Sequence, residues 1–375
     1  MPALIAASAI RTCLGDAAQT YAALLAGVHG CGPLRYVDPY RVHVANGYHV
    51  VDGTGEAEPP LRASGWLADC VTRVVRESGV DTRTQRVVAV VGTGLRELRA
   101  VERWAVDGMP LATERLHFGG AVRGAAGIVE VHTVANACGA GGYALALAQD
   151  LLDLGEADAV VVGAADTMTE SMLAMIGRVT EEPTDRVRPF DEDRGGVLLG
   201  DGAAALVLVP DDGRSRGLAR VLATGLSCDA YHETAPAPDG IRRAMVDAAE
   251  RAGRVLSDVD LVVAHGTGTR LNDPTEAEAI AVHLAAGGAP GPLVTGIKGA
   301  IGHTSGAAAL HSLAVAVECL RQGAVPPVVG LRTPLKEGRD LRLVRGSPVR
   351  SEPSLVQVDA FGFGGVNAVT LVEAL

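Results

Sequence analysis

The stretch Val131–Gly155, VHTVANACGAGGYALALAQDLLDLG, decides how this 375-residue chain is read. An apolar run ends at Asn136-Ala137, Cys138 follows, then come Gly139, Gly141 and Gly142 and a helical run from Tyr143 to Leu154. The pattern predicts strand, tight turn and helix, with the cysteine at the turn. A thiol there meets unpaired helix N–H groups and the positive end of the helix dipole, both of which favour thiolate. The glycines let a substrate approach the backbone closely. The competing reading is a buried structural cysteine, since free cysteine is a common core residue.

Outward from this turn, the bulk composition sets limits. With 48% hydrophobic and 21% charged residues the chain can bury a large core. The net charge of −11 argues against a nucleic-acid surface. The six cysteines (13, 31, 70, 138, 228 and 319) include no CxxC pair, which gives neither a zinc site nor a disulfide framework. No apolar run reaches the roughly 18 residues that span a membrane. The opening MPALIAASAI is predicted as a first strand rather than a signal peptide, and a soluble cytoplasmic protein is expected. Lysine occurs only twice among 33 basic residues, as Lys298 and Lys336, so each asks for a reason.

Along the chain, strand patterns alternate with helix patterns. Helices are predicted at Thr20–Gly27, Trp66–Ser78, Ile241–Ala252, after Pro274 and at Gly306–Leu320. Apolar strands are predicted at Arg86–Val91, Ala157–Ala164, Ala203–Val209, Asp260–Ala264, Leu293–Thr295, Leu355–Val358 and Ala368–Val372. Residues 31–60, rich in proline and glycine, are expected to be an irregular surface segment. Trp104–Gly127 gives no clear pattern, and 180–202 is dense in charge and glycine. A weak repeat relates VVGTGLRE (90–97) to AHGTGTRL (264–271), each GTG following an apolar strand. A small-residue helix comes later in each half. The expectation is α/β, two fused halves around one core, with sheets covered on both faces.

Three stretches qualify as partners of Cys138. His265, in VAHGTGT (263–269), lies at the carboxyl end of a strand, the edge where ligands of α/β sheets collect. Lys298 and His303 flank the glycine-bearing turn GIKGAIGHT (296–304). DAFGFGGVN (359–367) places two of the four phenylalanines between glycines, either as core aromatics in a tight turn or as a backbone donor and aromatic gate. A thiol with two histidines suits thioester chemistry, in which the histidines donate to a developing oxyanion or enolate. A Cys-His protease is the competing use, and it leaves the second histidine and the lysine idle.

Together these motifs resemble the β-ketoacyl-acyl-carrier-protein synthases, the condensing enzymes of the thiolase fold. The resemblance runs through LLAGVHGCGPL (24–34), NACGAGG (136–142), RPFDEDRGGVLLGDGAAALVL (188–208), SCDAYHETAPAPDG (227–240), AHGTGTRLNDPTEAEAI (264–280), KGAIGH (298–303) and FGFGGVNA (361–368). It implies an α/β thiolase-like fold of two similar βαβαβαββ halves, 1–215 and 216–375, layered α-β-α-β-α. It implies that Cys138 accepts the acyl group, that His265 and His303 stabilise an enolate and that Lys298 supports them. Thr267 and Thr269 would hold a phosphopantetheine arm, and Phe363 would gate the site. The backbone N–H groups of Cys138 and Phe363 would form an oxyanion hole. Asp273, Glu276 and Asp201 would form a supporting shell.

The same resemblance implies decarboxylative condensation of acyl and malonyl-type thioesters delivered by acyl carrier protein, in fatty-acid or polyketide biosynthesis. No metal or other cofactor is implied. The partner is a second ketosynthase-like subunit, in a homodimer or a heterodimer, with no nucleic acid and no membrane. Simple acyl transfer to an alcohol or amine, and a non-catalytic chain-length-controlling subunit, are the alternatives. The latter usually lacks the cysteine. Four departures stand out: a short segment between Arg99 and Val131, Asp201 where glutamate is usual, Asn272 where glycine is usual and Gly299 where serine is common.

Overall fold

Runs such as VVAVV (87–91) and AVVVGAA (159–165) have no polar face, so a sheet built from them must be covered on both sides. The computed structural model describes residues 2–52, 57–179, 184–213, 216–284 and 291–375. In it these runs lie in one 11-stranded sheet. Its strands are β1 Ala3–Arg11, β2 Val87–Thr93, β3 Val131–Ala135, β4 Ala159–Asp166, β5 Gly202–Pro210, β6 Arg220–Cys228, β7 Leu261–Val263, β8 Leu293–Thr295, β9 Arg342–Leu343, β10 Leu355–Gly362 and β11 Val366–Glu373.

The order across the sheet is β9-β8-β7-β10-β11-β6-β1-β5-β4-β2-β3. Outward from the central β6/β1 pair, two arms repeat one plan. One arm runs β1-β5-β4-β2-β3; the other runs β6-β11-β10-β7-β8, with β9 at its far edge. In both arms the inner three strands are antiparallel and the outer three parallel. Ala3 pairs with Val221 and Leu4 with Arg220 where the arms meet.

Burial patterns sort the helices into layers. The helix α1, Arg62–Ser78, buries Ala63, Trp66, Leu67, Cys70, Val71 and Val74, the one-sided stripe of a helix with solvent behind it. It covers β1, β4 and β5. The helix α2, Ala140–Asp153, is buried on almost every side, and small side chains (Ala140, Gly141, Gly142, Ala144, Ala146, Ala148) let it sit between the two arms of the sheet. On the opposite arm the helix α3, Pro238–Ala252, covers β6 and β11, and α4, Asn272–Leu284, packs on α3. The helix α5, Ala308–Gln322, is buried along most of its length and touches strands of both arms, as does α2. The result is α-β-α-β-α layering with α2 and α5 in the middle.

Some segments differ from their sequence reading. Residues 31–52 hold a short helix, Pro39–Val42, and a pairing of Gly32–Pro33 with Asn46–Gly47, and Val42, Val44, Tyr48 and Val50 are core residues; the Tyr48 hydroxyl donates to the Gly299 carbonyl at 3.2 Å. The patternless stretch holds a helix, Leu98–Asp107, that starts before Trp104, and a second, Gly119–Ala126. Residues 180–183 of the charged segment, and the division at 215, lie outside the described residues. Among the described residues no helix is long and apolar enough to cross a membrane.

Candidate active site

The turn around Cys138 is strained in a defined way. Ala137 takes φ of +48°, a left-handed value that costs a residue with a Cβ, and a short 3₁₀ turn, Ala137–Gly139, feeds into α2. The start of α5 repeats the device: Ser305 also has φ of +48°, and Ser305–Ala307 is a 3₁₀ turn. Cys138 therefore corresponds to Gly306. The two helix starts nearly touch, since a Cβ on Gly141 would lie 2.8 Å from the Gly306 carbonyl oxygen.

The charge of Lys298 and the N–H groups of Phe363 and of Cys138 itself all favour the Cys138 thiolate. The sequence argument for a thiolate fails here. Burial, joined by the Asp166 charge, outweighs the lysine and the two N–H groups, and the thiol is pushed up to about 11. The Phe363 side chain is 46% exposed.

His265 follows β7. Its backbone N–H donates to Glu276 Oε1 at 2.6 Å, and that of Gly266 to Oε2 at 2.8 Å. Its Nδ1 faces Lys298 Nζ at 3.2 Å and the Phe361 N–H at 3.4 Å. Two donors on Nδ1 assign the ring proton to Nε2. Lys298 Nζ also donates to the His265 carbonyl. His303 meets His265 edge to face with ring centroids 5.4 Å apart, and its Nδ1 is buried without a partner among the described residues. Burial first, then the Lys298 charge, holds both imidazoles well below their ordinary pKa, so both are neutral near pH 7. Burial also brings Lys298 down to about 8, against the opposing pull of Glu276 and Cys138.

Asp273 and Glu276 are fully buried and take up loop N–H groups, as a supporting shell does. Asp273 accepts from Thr267, Gly268 and Phe190, the last at 2.7 Å. Asn272 Nδ2 donates to Glu276 at 3.0 Å, work that a glycine at this position could not do. Burial raises Glu276 to about 7. Thr267 and Thr269 stand hydroxyl to hydroxyl at 2.9 Å. Gly299 is required: a Cβ there would lie 1.9 Å from the Val329 carbonyl oxygen, which explains the absence of serine.

Asp201 is a correction. It does not reach Lys298 but turns toward Arg62 (3.1 Å), His49 (3.3 Å), Thr167 (3.0 Å) and the Met168 N–H (2.9 Å). Burial alone would raise its pKa, yet His49 and Arg62 hold it low. The aspartate is one carbon shorter than glutamate and ends in this buried ion pair.

Two acids escaped the sequence reading. Asp166, at the end of β4, accepts from the Thr93 hydroxyl (2.6 Å) and the N–H groups of Gly94 (2.8 Å), Leu95 (2.8 Å) and Gly306 (2.7 Å). Burial pushes it to about 6 against these donors. The carboxyl end of a strand was the signal available, the same that singled out His265. Asp359 in β10, held by Gln357 Nε2 at 2.9 Å, lies with Glu276 and Lys298 and is raised well above the usual carboxylate range by burial and then by Glu276.

The sequence model of the β-ketoacyl synthase N-terminal domain matches residues 63–212, and that of the C-terminal domain matches 218–332. The 3-oxoacyl-[acyl-carrier-protein] synthase 2 of Mycobacterium tuberculosis is 30% identical over 390 residues, covering 94% of this chain and 92% of its own. The chain belongs to the β-ketoacyl synthase family. It is a condensing enzyme of the acyltransferase type, in fatty-acid or polyketide biosynthesis. Nodulation protein E of Rhizobium meliloti is 34% identical over 244 residues, covering 64% of the synthase and 60% of its own chain. A solved structure described as the ishigamide ketosynthase/chain length factor superposes on the whole synthase with a TM-score of 0.89 at 28% identity, over 99% of that chain. A β-ketoacyl synthase from Burkholderia phymatum shares the fold at 21% identity and a TM-score of 0.87, over 100% of the synthase and 99% of its own chain.

Proposed function

We propose that this chain performs decarboxylative Claisen condensation, with Cys138 as acyl acceptor and His265 and His303 as donors to the enolate. The observation that carries the reading is that Lys298, which acts on the Cys138 sulfur together with the N–H groups of Cys138 and Phe363, also meets His265, against which His303 packs, and that both imidazoles are neutral. In the first half-reaction the Cys138 sulfur attacks an acyl thioester. The thiol proton passes to the leaving carrier thiol, and the oxyanion rests on the N–H groups of Cys138 and Phe363. In the second, a malonyl-type thioester loses CO2, and its enolate oxygen accepts from His265 Nε2–H and from His303. The enolate carbon then attacks the acyl-cysteine, and collapse releases the β-ketoacyl product and the Cys138 thiolate.

Lys298 positions His265 through its carbonyl and Nδ1, with Glu276 and Asp273 behind it. The hydroxyls of Thr267 and Thr269 suit the amides of a phosphopantetheine arm, and Phe363 at the mouth suits a gate. The carrier protein brings both substrates, so no metal or organic cofactor is needed. We read 1–215 and 216–375 as halves of one catalytic unit that works in the cytoplasm. A second ketosynthase-like subunit, identical or not, pairs along β3. That strand ends the sheet, and its His132, Thr133 and Ala135 are exposed. Carriers of this type are acidic, so docking uses a local basic patch despite the net −11 charge. Apparent affinity for the carrier is expected to weaken as salt rises; a flat response would mean apolar docking.

The decisive experiment separates the two half-reactions. His303→Ala is expected to leave acyl loading of Cys138 detectable by intact mass, while CO2 release from malonyl carrier falls by about 10²–10³, the usual cost of one such donor. If the wild type releases no CO2 but passes its acyl group to an alcohol or amine, simple acyl transfer replaces this reading.

A further inference from the structure

Three buried acids, Asp273, Glu276 and Asp359, face one buried cation, Lys298, behind His265. Both imidazoles are neutral and add no positive charge. Asp273 and Glu276 hold loop N–H groups, whereas Asp359 has no such task.

Register sets Asp359 beside the others. Val358 of β10 pairs with Val263 of β7, so Asp359 comes alongside Ala264, one residue before His265. Leu355 and Phe361 share its face of β10, and they pack in one cluster with Ala277 and Ile280 of α4, the helix that carries Glu276. Phe361 also meets the His265 ring, with centroids 5.5 Å apart.

The hydrogen bonds divide unequally between the two carboxyls. Glu276 accepts from the N–H groups of His265 (2.6 Å) and Gly266 (2.8 Å) and from Asn272 Nδ2 (3.0 Å). Asp359 accepts from Gln357 Nε2 at 2.9 Å, and its Oδ2 is buried without a partner among the described residues. An ionised Oδ2 would hold charge with neither water nor a donor to stabilise it. Neighbouring carboxyls resist ionising together, and the one with more donors keeps the charge. The charge therefore falls to Glu276, opposite Lys298, and the proton to Asp359. Burial, and then the Glu276 charge, favour that same assignment. A proton turns the orphaned Oδ2 into a donor. Gln357 presents Nε2 to Asp359, and Glu276 Oε1, which takes the His265 N–H, has a lone pair left to accept.

We propose that Asp359 is a positioning residue for decarboxylation: it keeps a proton on Oδ2 and donates it in a hydrogen bond to Glu276, the anchor of the His265 backbone. The proposal rests on His265 being a donor to the enolate.

Infrared spectroscopy of protein labelled with carbon-13 in its aspartate carboxyl groups reads the proton without an assay. At pH 7.5 Asp166, at about 6, is ionised. A protonated-carboxyl band that shifts with the aspartate label should be present in the wild type and lost in Asp359→Asn. Absence of the band from the wild type would overturn the proposal, as would its persistence in the variant. In turnover, Asp359→Leu should lower CO2 release from malonyl carrier by roughly ten- to a hundredfold, the effect of one hydrogen bond to a charged group, while acyl loading of Cys138 changes by less than about threefold. Asp359→Asn, whose amide N–H can donate in place of the acid, should recover most of that loss. If it recovers none, Asp359 acts as a charge and the proposal fails. A wild type that loads Cys138 but releases no CO2 would instead bring down the condensation reading, while the infrared band would still report on Asp359.

Discussion

Cys138 stands at a helix start and yet holds its proton, because desolvation by burial, joined by the Asp166 charge, exceeds what Lys298 and the two N–H groups return. With a pKa of about 11, only about one molecule in 10⁴ carries thiolate at pH 7. Alkylation of Cys138 by iodoacetamide, followed by peptide mass mapping, should therefore be slow at neutral pH. It should rise about tenfold per pH unit up to pH 8. Above that, Lys298 loses its proton and stops lowering the thiol pKa, so the slope should fall below tenfold per unit. The same sign governs Lys298→Met: removing the cation raises the thiol pKa further and slows alkylation at pH 7. Faster alkylation in that variant would show that the lysine does not act on the sulfur. Lys298→Arg is expected to lose at least roughly tenfold in turnover, because a planar guanidinium cannot meet the His265 carbonyl and Nδ1 as a compact ammonium does.

Between elements, Asp166 is the tie. It ends β4 and gathers donors from the end of β2 and from the turn before α5, which joins the two arms beneath the nucleophile. Asp166→Ala takes the acceptor from one buried hydroxyl, the buried Gly306 N–H and the part-buried N–H groups of Gly94 and Leu95. Denaturant unfolding should show a loss of several kcal/mol, roughly 3–5, as for other buried charged networks that lose one partner; a loss under about 1 kcal/mol would mean that water or relaxation replaces it. What was legible in the sequence follows from the same elements. Cys138, His265, Lys298 and His303 were readable because each is a lone polar residue at the glycine-marked end of an apolar run. Asp166 had that signal too, but without glycine beside it. The pairing of Asp201 with Arg62 was not readable, since it joins residues 139 positions apart. The helix Leu98–Asp107 did leave a sign, the helical spacing of Leu98, Val101 and Ala105, although none of its residues is buried in the structure.

At the scale of the molecule, the exposed edge of β3 predicts assembly. Thr133→Lys should place like charges along a strand that a second copy would pair with, and light scattering should then report a lower mass than for the wild type. An unchanged mass would move the interface elsewhere. The doubled plan of the fold also has a historical side. Two helix starts share the same strained turn, but only one bears a nucleophile. The other cannot acquire one in a single step, because any side chain at Gly306 would drive its Cβ to 2.6 Å from the Gly94 nitrogen and the Thr93 carbonyl carbon. The close seating of that glycine makes the asymmetry a ratchet. A duplicated ancestor that once packed this way could diverge in its live half while the mute half was sealed against the same chemistry, leaving one reaction centre in a body built twice.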